Sequence, residues 1–105
     1  MSENGLASRG DGKFDLSGRM TFHTVPQFQT HAGSLLQGGA QPVTIDMKGV
    51  TQADSAGLAL MIEWLQMARN GKRELAFANI PEQVSELIRV NGLQQMFGLE
   101  NGQKR

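Results

Sequence analysis

Alternating apolar and polar positions over Lys13-Phe-Asp-Leu-Ser17 predict a strand, and Leu6-Ala-Ser-Arg9 suits a weaker partner strand. The two join as a hairpin around Gly10-Asp-Gly12, because Asp-Gly supplies the positive backbone angles of tight turns. Pro42-Val-Thr-Ile-Asp-Met47 is short and β-branched between Gly-rich segments, which predicts a central strand over 42–47 with Asp46 at its carboxyl end. A further strand is expected over 74–78. Between these lie helical spacings. Thr24 as cap, Pro26 in the first turn and a stripe of Val25, Phe28, Ala32, Leu35 and Leu36 predict a helix over 25–37, ended by Gly38-Gly39. A second helix runs from Ser55 to Asn70 and stops at Gly71, with Arg69, Lys72 and Arg73 complementing its negative end. A third, over 81–91, opens on the capping-box shape of Asn79-Ile-Pro-Glu82 and turns Val84, Leu87, Ile88 and Asn91 inward. Leu93, Met96 and Phe97 suit a short final turn. Strands alternating with helices imply crossover units, hence an α/β fold.

The second helix is apolar over more of its circumference than a sheet requires. Leu58, Ile62, Leu65 and Ala68 face one way, and Leu60, Met61, Trp64 and Met67 widen that arc. Ala59, Glu63, Gln66 and Arg69 remain for water. Either a flanking helix covers the shoulder, or Met61 and Trp64 form a protein-binding face, since Met and Trp are enriched in interfaces.

The start of that helix carries the densest chemistry. The first N–H groups of a helix lack internal partners and bear partial positive charge, so Asp54 and Ser55 there can cap it. The same place suits a docking contact or a phosphoryl acceptor at Ser55. Ala56 and Gly57 follow, and a Gly in a helix costs about 1 kcal/mol relative to Ala. Such small residues allow another backbone to approach.

Composition narrows the functions. The 105 residues fit one domain, 1–105, with 1–5 and 101–105 expected to be flexible. Ten basic and ten acidic residues cancel, against the basic footprint of a nucleic-acid binder. There is no cysteine, which removes disulfides, thiolate ligands and a thiol nucleophile and suits a reducing compartment such as the cytoplasm. No leader pattern is read at the first residues, and no apolar run approaches the roughly 20 residues of a membrane span. His23 and His31 are too far apart to pair on one helix face, so no metal site is expected. The glycines form neither a Walker loop nor a dinucleotide fingerprint, so no cofactor is expected. Ser55 lacks the flanking glycines of a hydrolase elbow. A non-enzyme is the expectation.

Four segments carry a resemblance. Leu16-Ser-Gly-Arg-Met-Thr-Phe-His-Thr-Val-Pro26, Ser55-Ala-Gly-Leu-Ala-Leu-Met-Ile-Glu-Trp-Leu65, Phe77-Ala-Asn-Ile-Pro-Glu-Gln83 and Val90-Asn-Gly-Leu93 resemble, in order, STAS domains of the MlaB-like branch. That resemblance implies a roughly four-stranded mixed sheet packed with three to four helices. It also implies a non-catalytic subunit of an ABC-type phospholipid transporter of Gram-negative bacteria, which maintains outer-membrane lipid asymmetry. The implied partner is the cytoplasmic ATPase subunit and, through it, an inner-membrane permease complex. The implied contact residues are Asp54, Ser55, Ala56, Gly57, Leu58 and Met61. The MlaB-like branch has an aromatic residue in its first helix near the partner, where Phe28 and Gln29 share the neighbourhood here, so that part of the interface stays open. The alternative within the same fold is an anti-sigma-factor antagonist switched by phosphorylation of Ser55.

Overall fold

A computed structural model describes residues 5–36 and 41–99, with side chains described over 5–30 and 41–99. The expected flexible ends fall outside these residues, except that Gly5 already belongs to the first strand. The elements in order are β1 (Gly5–Gly10), β2 (Lys13–Met20), α1 (Val25–Leu36), β3 (Val43–Ala53), α2 (Ser55–Asn70), β4 (Leu75–Ala78) and α3 (Glu82–Val90). The sheet order is β1-β2-β3-β4. β1 runs antiparallel to β2, whereas β2–β3 and β3–β4 are parallel, so the sheet is mixed. The hairpin turns where expected, with positive φ at Gly10, Asp11 and Gly12.

Pleating sends alternate side chains to opposite faces. Phe14, Leu16 and Met20 of β2 and Val43, Ile45 and Met47 of β3 are buried, while Lys13, Asp15, Ser17, Thr44 and Asp46 point the other way and keep contact with water. Phe28 of α1, Leu58, Leu60, Met61 and Trp64 of α2, and Val84 and Ile88 of α3 complete one core with the buried strand residues. Trp64 is 1% exposed and Met61 fully buried, so the wide apolar arc of α2 is covered by its neighbours α1 and α3. Glu63, Gln66 and Arg69 remain exposed as expected. The side chains of Ala32, Leu35 and Leu36, and the expected stop at Gly38-Gly39, lie outside the described residues.

β3 differs most from expectation. It does not end at Met47 but continues to Ala53, alongside a β2 that continues to Met20. Asp15 pairs with Asp46 but Ser17 with Gly49, and Gly18 pairs with Val50 but Arg19 with Gln52. Each shift gives β3 one more residue than β2, the condition of a β-bulge. The buried positions of β3 therefore step from 43, 45 and 47 to 50 and 53. Asp46 consequently lies mid-strand rather than at the strand's end. Its Oδ1 accepts from Lys48 N at 2.8 Å and Asn79 Nδ2 at 3.1 Å, and Arg9 lies 3.9 Å from Oδ2. The Asn79 bond first, then the Lys48 amide, hold this carboxyl below its ordinary value.

Three local expectations change. Thr24 does not cap α1 with its side chain; its Oγ1 accepts from Thr21 N at 2.9 Å and donates to the Arg19 carbonyl, closing the turn before the helix. Asn79 does not cap α3, because it adopts φ +54° and reaches back to Asp46, leaving Pro81 at the cap without a side-chain bond. Asn91 is exposed, and its Nδ2 donates to the Leu87 carbonyl at 2.8 Å.

Gly57 has a stringent environment. A Cβ there would collide with the Met20 carbonyl oxygen and lie 2.9 Å from Met20 Cβ. Helix propensity alone favours Ala over Gly by about 1 kcal/mol, but overpacking costs about 1–3 kcal/mol. Gly57→Ala is expected to destabilise the fold despite its better propensity, and Gly57→Val more so. Urea unfolding midpoints check this; a Gly57→Ala protein at least as stable as the wild type would remove the close approach as a constraint.

Candidate functional site

The site is assembled by one carboxylate. The Met20 carbonyl accepts the Asp54 N–H at 3.2 Å, which places Asp54 directly after β3 and beside the end of β2. Asp54 Oδ1 accepts from Ala56 N at 2.9 Å and Gly57 N at 3.3 Å, the arrangement of an N-cap. Its Oδ2 accepts the Phe22 N–H at 3.1 Å, across 32 residues of sequence. One side chain therefore ties the turn between β2 and α1 to the first turn of α2. Desolvation raises the Asp54 pKa, but the N–H groups of Phe22, Gly57 and Ala56 outweigh it, and the net shift is downward from 3.8.

Ser55 is exposed beside this cap, and its hydroxyl makes no hydrogen bond among the described residues. Ala56 is half-buried. Gly57, Leu58 and Met61, expected among the contact residues, are buried. Gly57 meets Met20, while Leu58 and Met61 belong to the core. The small residues do admit another backbone, and that backbone is the chain's own β2. The expected free amides for a phosphoryl group are also partly taken, since Ala56 N and Gly57 N already serve Asp54.

Between the start of α2 and α3 runs a groove of about 440 Å³, lined by Ala53, Asp54, Ser55, Gln83, Glu86, Leu87 and Val90. Gln83 Oε1 accepts the Ala53 N–H at 3.1 Å, which fixes α3 against the end of β3. Glu86 pairs with Arg89 on the exposed side of α3. Phe22 and Val90 are both largely exposed. Neither was singled out by periodicity, because burial of a lone aromatic or of the last residue of a helix is not encoded in spacing. Phe28, left open as a first-helix contact, is core, whereas Gln29 is exposed and donates to Glu63 Oε1 at 3.3 Å. Among the described residues no three His, Asp or Glu side chains gather as a metal group would require. No helix there is long and apolar enough to cross a membrane.

The cap has a pH consequence. Asp54 and Asp46 both titrate below 3.8 in the folded chain. A depressed carboxyl pKa adds stability that is fully present above the unfolded value of about 3.9 and is lost as pH falls through the lower folded values. Thermal melts from about pH 6 downward should therefore show a falling midpoint below about pH 4. In Asp54→Ala the stability at neutral pH should drop by about 1 kcal/mol, the usual cost of an N-cap, and the acid-dependent loss should shrink. An unchanged acid profile in that variant would deny Asp54 this role.

Comparison with known proteins shows the family. A family model described as "Mlab, STAS domain" matches residues 6–99. An anti-sigma-B factor antagonist of Staphylococcus aureus, strain NCTC 8325 / PS 47, is 22% identical over 87 residues, covering 83% of this chain and 81% of that protein. An anti-sigma-B factor antagonist of Staphylococcus epidermidis is 23% identical over the same shares. Among solved structures, a chain of the Acinetobacter MlaFEDB complex in its ATP-bound Vtrans2 conformation has a TM-score of 0.68 at 24% identity, covering 81% of this chain and 90% of that one. That likeness is one of fold. With the mixed sheet, the capped helix and a family match over residues 6–99, the chain belongs to the MlaB-like STAS domain family.

Proposed function

We propose that this chain is the non-catalytic STAS subunit of an ABC-type phospholipid transport system serving outer-membrane lipid asymmetry. In this role it binds and regulates the ATPase subunit on the cytosolic side of the inner membrane, and contacts the permease only through that partner. The observation that carries the reading is the Ser55 hydroxyl, exposed and uncommitted on a rigidly capped helix end, in a chain of the MlaB-like STAS family. The fold likeness to a chain of an ATP-bound MlaFEDB complex supports it. Asp54, Ser55 and Ala56 form the contact surface, and Gly57, Leu58 and Met61 shape it from beneath.

Replacing Ser55 by Arg places a long charged side chain on that surface without entering the core. The variant should keep the wild-type thermal midpoint and lose co-purification with the ATPase from the native host. Retained binding would move the interface elsewhere.

The second reading, an anti-sigma-factor antagonist, is favoured by the staphylococcal relatives together with the exposed Ser55. Phosphorylation there adds about −1.5 to −2 charges. The added charge would stand beside the Asp54 carboxylate, and burying it uncompensated against a partner costs several kcal/mol. Phosphorylation should therefore release the partner while leaving the domain folded. Intact-mass analysis of protein from the native host separates the readings. Substantial phosphate on Ser55 coupled to partner release supports the sigma-regulator reading, and its absence under all growth conditions leaves Ser55 a docking residue.

A further inference from the structure

Three large hydrophobic side chains stand in water among the described residues: Phe22 at 75%, Val90 at 71% and Met96 at 40% exposure. The two most exposed are each linked to the Asp54–Ser55 cap. Phe22 is bonded through its backbone N–H to Asp54, and Val90 lines the groove that Asp54 and Ser55 also line. Met96 lies elsewhere, with Leu65, Ala68, Arg69 and Lys72 near the far end of α2.

Phe22 contributes little to the fold. Its ring meets the His23 ring edge-on at 5.7 Å and is largely exposed. Burial of a phenyl ring is among the largest apolar gains open to a chain, yet this turn holds the ring out. The turn is not slack. Thr24 N and Val25 N both donate to the Thr21 carbonyl at 2.9 Å, Thr24 Oγ1 closes the turn from inside, and Asp54 Oδ2 fixes Phe22 itself. The backbone that carries the ring is already ordered, which removes that part of the cost of binding, and aromatic residues are enriched in interface hot spots.

We infer that Phe22 and Val90 are the two apolar anchors of the Ser55 surface, entering apolar sockets on the ATPase on either side of a polar strip that faces the Ser55 hydroxyl. Asp54 is the positioning residue that holds Phe22 beside Ser55. This inference rests on the transporter-subunit reading above and specifies the partner's chemistry: a face with two apolar cavities, one large enough for a phenyl ring.

The test is calorimetric titration of the ATPase that co-purifies with the wild-type chain, using Phe22→Ala, Val90→Ala, Met96→Ala and Ser55→Arg. Phe22→Ala and Val90→Ala should each weaken binding about tenfold or more, with unchanged thermal midpoints, and Met96→Ala should bind as the wild type does. Wild-type affinity in both anchor variants, with binding lost in Ser55→Arg, overturns the anchors and leaves the functional reading standing. If no ABC ATPase binds the wild-type chain, both fall together. A wild-type dimer in light scattering that Phe22→Ala dissociates would assign the anchors to a second copy of the chain and overturn their role toward the ATPase.

Discussion

Backbone meets backbone where the first turn of α2 crosses the end of β2, and the candidate site is organised around that approach. Gly57 leaves no room for even a methyl group against Met20, so the helix axis is held a fixed distance from the strand. The Met20 carbonyl also takes the Asp54 N–H, which makes the last residue of β2 the common reference for strand end, cap and helix start. With Gly57 seated there, Asp54 lies between α2 and the β2–α1 turn and bonds to both. Ser55, the next residue, is left facing water.

The sheet delivers the chain to that point through two irregularities. Each extra residue in β3 lets the strand keep pairing with β2 while its buried side chains change spacing from two to three. Bulges of this kind bend a strand and increase its twist, and here they lie in the half of β3 that leads to the cap. The same strand carries Asp46 on the opposite face, where Asn79 in a left-handed conformation bonds back to it from the end of β4. Two carboxylates thus secure the two parallel crossovers, Asp46 through a side-chain amide and Asp54 through backbone amides. Both are held ionised by hydrogen bonds to their charged forms.

Apolar surface is distributed unevenly. The broad stripe of α2 is consumed internally, with Trp64 and Met61 enclosed between sheet and helices. Among the described residues the large side chains left in water are Phe22, Val90 and Met96; Val90 lines the groove beside Ser55, Phe22 is bonded to Asp54 through its backbone, and Met96 lies near the far end of α2. Exposed apolar side chains beside a free hydroxyl are the composition found in protein interfaces. Membership of the MlaB-like STAS family agrees with that distribution.

The sequence by itself determined the strand and helix order, the hairpin turn, the extent of α2 and the identity of Asp54 as its cap. These depend on local periodicity, glycine backbone freedom and capping chemistry, which act over a few residues. It determined the family as well, because the matching segments are contiguous and ordered. Only the tertiary structure decided the length of β3, since a bulge is visible only against the strand it pairs with. Only the tertiary structure showed that Gly57 is small because of Met20, which is 37 residues earlier in the sequence. Burial divided the six expected contact residues in the same way: a helical wheel gives direction but not what lies beyond it, and Met61 is enclosed in the core while Phe22, outside every periodic stripe, stays in water. Pairing, close approach and exposure are relations between distant segments, and no local pattern encodes them.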